Sequence, residues 1–71
     1  MEIKKIIYTE TERFGRPQEK EISLKEAEKI INEWIKESQE SRAEFSIRLF
    51  DDFIEFSFDE KIKKYFLEIL F

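Results

Sequence analysis

Two pairs of adjacent carboxylates, Asp51-Asp52 and Asp59-Glu60, are the side chains best suited to hold a hard cation or to share acid–base work. Their spacing keeps them apart. Between them Ile54, Phe56 and Phe58 alternate with Glu55 and Ser57, the period of an extended strand. Residues 53–58 in that form, at about 3.3 Å each, separate the pairs by roughly 20 Å. Asp51-Asp52 alone offers too few oxygens for a calcium cage and reads as a solvated turn. Other chemistry is no better supplied. The chain has no histidine and no cysteine, so the usual general base, thiolate nucleophile and zinc ligands are missing. Its single glycine, Gly15, does not stand in the spacing of a phosphate-cradling loop. The expectation is a protein that is not an enzyme, with no catalytic residue, no cofactor and no metal.

The remaining candidate is a contact site. Phe14-Gly15-Arg16-Pro17 contains the chain's only glycine and only proline and reads as a turn, glycine tolerating positive φ and proline fixing φ. The stretch around it, from Thr9 to Lys20, is nearly all polar. If the chain pairs about Gly15, the outer half of this hairpin projects as an arm, with Arg13, Phe14 and Arg16 at its tip. Aromatics and arginine are enriched where binding energy concentrates, so Arg13, Phe14 and Arg16 form the candidate partner-binding site. The competing reading folds Phe14 back onto its own hairpin and leaves the arginines to balance Glu10, Glu12 and Glu19.

The elements that must carry this tip follow from periodicity. Glu2 to Arg13 reads as a strand whose middle is apolar on both faces, with Ile6 and Tyr8 on one and Ile3 and Ile7 on the other, which suits an interior position. Gln18 to Ile22 is a second, charge-rich strand of the kind found at sheet edges. Ser23-Leu24-Lys25-Glu26 matches a capping box and opens a helix to about Ser38. Its apolar stripe is Leu24, Ala27, Ile30, Ile31, Trp34 and Ile35. Phe45, Ile47 and Leu49, then Ile54, Phe56 and Phe58, mark two further strands joined at Asp51-Asp52. The tail from Asp59 to Phe71 fits two periods. As a helix it aligns Ile62, Tyr65, Phe66, Ile69 and Leu70; as a strand it aligns Tyr65, Leu67, Ile69 and Phe71. The helix is the expected form, since Asp59 can cap it and a hairpin through Asp59-Glu60-Lys61 would lack glycine, asparagine and proline.

The fold class expected is therefore α+β, a ββαββα two-layer sandwich with a four-stranded antiparallel sheet, both helices on one face and the other face mostly wet. The alternative is ββαβββ with a C-terminal strand. In that case Phe66 and Leu70 join Ile3 and Ile7 on the second sheet face, which another subunit would be expected to cover. Seventy-one residues allow a single domain, 1–71, and 41% apolar content with eight phenylalanines supplies its core.

Charge narrows the partner. Seventeen acids against thirteen bases give a net charge of −4, which opposes direct binding of nucleic acid. No segment has the length of a membrane span and the N-terminus lacks a signal-peptide apolar block, so the expected location is cytoplasmic, away from membranes. By elimination the expected function is a small intracellular protein-binding module. An inhibitor or antagonist of a larger protein fits best, such as a phage or mobile-element anti-defence factor or an antitoxin-like partner. The alternatives are a homo-oligomer that binds a small ligand between subunits and an accessory subunit of a larger assembly.

Overall fold

The structure is a computed structural model and describes residues 2–12, 15–41 and 43–71. Its elements run β1 (Lys5–Glu12), β2 (Gln18–Glu21), α1 (Leu24–Glu40), β3 (Glu44–Leu49), β4 (Phe53–Asp59) and β5 (Lys63–Leu70). The order is ββαβββ. The strands form one five-stranded antiparallel sheet in the order β2-β1-β5-β4-β3.

The expected C-terminal helix, and with it the four-stranded ββαββα sheet, is therefore corrected. Residues 63–70 form the central strand, paired with β1 from Lys5↔Leu70 to Glu12↔Lys63 and with β4 from Phe53↔Leu70 to Asp59↔Lys64. Pairing on both edges gives the backbone of β5 two ladders, where a helix would have left β1 and β4 with open edges. The missing turn residues prove no obstacle. The β4–β5 turn has Lys61-Ile62 at its tip and closes with the Glu60 N–H donating to the Lys63 carbonyl at 2.9 Å. The β3–β4 turn repeats the pattern at Asp51-Asp52, with the Phe50 N–H donating to the Phe53 carbonyl at 3.0 Å. No described residue has a positive φ, so neither turn draws on the freedom that glycine or asparagine supplies. Gly15 likewise serves its turn by size: a Cβ there would lie 3.3 Å from the Cβ of Glu12.

The helix forms as its sequence requires. Ser23 is the N-cap, its Oγ accepting from the Glu26 N–H at 3.2 Å. The Ser23 hydroxyl also lies 3.5 Å from the Glu26 carboxylate, closing the expected box through side chains. The helix continues past Ser38 to Glu40, where the N–H and Oγ of Ser41 both donate to the Glu37 carbonyl at 2.8 Å and occupy one of the last free acceptors.

One face of the sheet receives α1. Ile6 and Tyr8 of β1, Tyr65, Leu67 and Ile69 of β5, and Phe56 and Phe58 of β4 lie side by side there, as the registers Ile6↔Ile69, Tyr8↔Leu67 and Phe58↔Tyr65 dictate. Ala27 and Leu67 are fully buried, and Trp34 is 6% exposed at the centre of the layer. The Trp34 ring stacks on Phe58 at 5.7 Å with planes 4° apart, and Tyr8, Phe45 and Tyr65 surround it at 6.1–6.4 Å. A single aromatic thus ties the helix to four strands.

Candidate functional site

The carboxylate pairs occupy opposite ends of β4. Asp51-Asp52 is the exposed tip of the β3–β4 turn, while Asp59 ends β4 and Glu60 enters the next turn. The described residues contain no group of three or more Asp, Glu, His or Cys arranged to hold a metal ion.

Of the tip residues expected to meet a partner, Arg13 and Phe14 lie outside the described residues, and Arg16 is exposed. The premise that the outer half of β1 is a free arm does not survive. β5 runs beside it to the register pair Glu12↔Lys63. Lys63 also bonds Glu10 at 3.0 Å and stands 3.5 Å from Glu12. β2 is fully exposed and sits at the sheet edge, as its charge implied.

The residues around that ion pair have altered acidities. Burial, with Glu10 nearby, pushes the Tyr8 phenol up to about 12. Burial also raises Tyr65, with Glu60 adding to the effect, and the hydrogen bond to Glu10 raises Lys63. Both phenols therefore stay protonated and neither is a base near neutral pH. This has a measurable consequence. A folded pKa above the unfolded value makes the stabilisation from Tyr8 complete below pH 10 and progressively lost as pH rises from about 10 to about 12. Absorbance titration at alkaline pH should show a phenol ionising near 12 in folded protein, and the thermal midpoint should fall across the same window. A folded protein with both phenols titrating near 10 would contradict the packing of Tyr8 against Trp34.

The opposite face of the sheet has no helix. Successive cross-strand rows on it are Phe53–Leu70–Lys5, then Arg48–Glu55–Glu68–Ile7–Glu21, then Ser46–Ser57–Phe66–Thr9–Glu19, and finally Glu44–Asp59–Lys64–Thr11. An apolar run, Phe53, Leu70, Ile7 and Phe66, thus crosses the bare face, each residue half-buried. At one end Phe50, 46% exposed, stacks on Phe53 at 4.3 Å with planes 10° apart. Polar groups border the run. The Ser46 and Ser57 hydroxyls bond each other across β3 and β4. Glu55 and Glu68 stand directly opposite one another, a like-charge pair that destabilises a sheet unless a cation answers it. No ion pair reaches either carboxylate among the described residues. Ser46, Arg48, Glu55, Ser57, Lys64 and Phe66 line an open depression of about 580 Å³ on this face.

Ile7, Phe66 and Leu70 were readable as apolar parts of this surface once the tail is a strand, whereas Ile3, expected beside them, precedes β1. The role of Phe50 and Phe53 was not, since two aromatics flanking Asp51-Asp52 follow no period. No protein family, curated protein or solved structure matches the chain. No helix in the described residues is long and apolar enough to cross a membrane.

Proposed function

We propose that this chain is a non-catalytic protein-binding module that seats the helix-free face of its sheet on a basic surface of a larger protein. The observation that supports this reading is the apolar run Phe53, Leu70, Ile7 and Phe66 on a face no helix covers. Burying an apolar side chain of this size from full exposure contributes about 1.5–3 kcal/mol, and these half-buried side chains retain a fraction of that. The stacked Phe50–Phe53 pair offers the kind of aromatic anchor that interface centres use. The charge sets the partner's chemistry. On this face Glu19, Glu21, Glu44, Glu55, Asp59 and Glu68 outnumber Lys5, Arg48 and Lys64, so cations across the interface are favoured, those facing Glu55 and Glu68 above all. A protein that acts by covering a surface suits an inhibitor or antagonist, and an accessory subunit would use the same face permanently. Arg13, Phe14 and Arg16 are proposed as a second contact, a reading supported by the exposure of Arg16 between β1 and β2.

The test is a charge reversal. The partner is captured from its native extract, identified and purified, and its affinity for wild type and for the double variant Glu55→Lys with Glu68→Lys is compared. The variant replaces one like-charged pair with another and also loses the opposite-charge register pair Arg48↔Glu55, so its thermal midpoint should fall modestly while circular dichroism shows it folded. Its affinity should fall by about tenfold or more, in keeping with one or two lost charge pairs at an interface. Equal affinity of the two proteins would reject the reading, and so would a partner whose contact surface is acidic.

A further inference from the structure

The two edges of the sheet are built differently. β2 presents Gln18-Glu19-Lys20-Glu21, short, polar and fully exposed, a well-blunted edge. β3 is the other terminal strand and has no such protection. It pairs without interruption from Glu44↔Asp59 to Leu49↔Ile54, so no bulge twists its outer edge away, and it contains no proline. Its side chains alternate cleanly. Phe45, Ile47 and Leu49 lie on the helix side, Glu44, Ser46 and Arg48 on the bare side. The helix does not extend over the outer apolar residues: Ile47 is 52% and Leu49 76% exposed.

We infer that β3 is a homodimerisation edge, pairing antiparallel with β3 of a second copy about a two-fold axis through Ser46. The sequence of the strand selects this occupant because it is complementary to itself. With Ser46 opposite Ser46, each Glu44 faces the other copy's Arg48 and each Phe45 faces the other copy's Ile47. That register forms two opposite-charge pairs and two aromatic–β-branched pairs, the cross-strand combinations that stabilise sheets. Neither Glu44 nor Arg48 has an ion-pair partner among the described residues of the single chain. A shift by one residue would set charged side chains against apolar ones across the junction. A register centred on Ile47 keeps the faces matched but places Arg48 opposite Ser46 and forms no charge pair. The dimer has a continuous ten-stranded sheet with both helices on one side. The bare faces of the copies then join into one surface, so the dimer is compatible with the proposed binding face and independent of it.

Sedimentation equilibrium over a series from about 1 µM to about 1 mM protein reads the association directly. Wild type should pass from monomer to dimer within it. Glu44→Arg and Arg48→Glu each place like charges across both ends of the junction, and each alone should weaken the dimer by about tenfold or more, as like-charge contacts do. Both positions are exposed, so circular dichroism should show both variants folded. Mixed in equal amounts, the two variants set an all-cationic edge against an all-anionic one and should form a heterodimer. Isotope-filtered NMR of mixed labelled and unlabelled wild type supplies a reading without any variant: contacts between Glu44 of one copy and Arg48 of the other. A wild-type monomer throughout the series would overturn the inference. A dimer that both single variants preserve would overturn it too, as would contacts centred on any residue but Ser46.

Discussion

Replacing Trp34 with alanine should bring the protein to the brink of unfolding at room temperature. Trp34 is buried between α1 and the sheet and packs against aromatic rings from β1, β3, β4 and β5. Truncating a buried aromatic costs about 3–5 kcal/mol, and domains are stable by only about 5–15 kcal/mol. A 71-residue chain with no disulfide sits at the low end of that range. Chemical denaturation followed by far-ultraviolet circular dichroism would show the loss as a midpoint moved toward zero denaturant. The same ring offers an internal control in wild type, where iodide should quench its fluorescence weakly. A Trp34→Ala variant with a wild-type midpoint would remove Trp34 from the centre of the core.

A second large effect should follow the alternation of β5. Leu67 is fully buried and Ile69 is 8% exposed on the helix side, while Phe66 and Glu68 lie on the bare side. Leu67→Ala should cost about 2–5 kcal/mol, the range for a buried leucine, and Ile69→Ala nearly as much. Phe66→Ala should cost markedly less, because the phenylalanine is only half-buried, on the face opposite the helix. The pattern of costs would then have period two. Equally large losses at Ile62, Phe66, Ile69 and Leu70, with Leu67 tolerant, would restore a helix.

That alternation also explains which parts of the fold were legible in the sequence. The helix was, because a capping serine and an apolar stripe from Leu24 to Ile35 agree with each other. So were β3 and β4, whose two faces differ in polarity, and the edge character of β2, which is polar on both faces. The tail was not, because β5 is central. An interior strand with one covered and one bare face carries apolar residues at both parities, here Tyr65, Leu67 and Ile69 against Phe66 and Leu70. That composition satisfies period two and period 3.6 together. The deciding information was nonlocal: β1 and β4 each needed a neighbour, and only residues 63–70 lay free to supply it. The candidate surface was partly hidden for the same reason. Once β5 takes the middle of the sheet, one helix remains to cover two faces, and the bare face follows as a consequence. The carboxylate pairs, by contrast, were placed correctly at the two ends of β4 from spacing alone.

The central claim is that this bare face, and Phe66 on it, is where the partner sits. A photoreactive phenylalanine analogue at position 66 tests it most directly, with the same analogue at Lys29, exposed on α1, as the comparison. After irradiation in the native extract, position 66 should capture one protein through a basic segment, and position 29 should capture none. Capture from position 29 with none from position 66 would place the binding surface on the helix side and contradict the account.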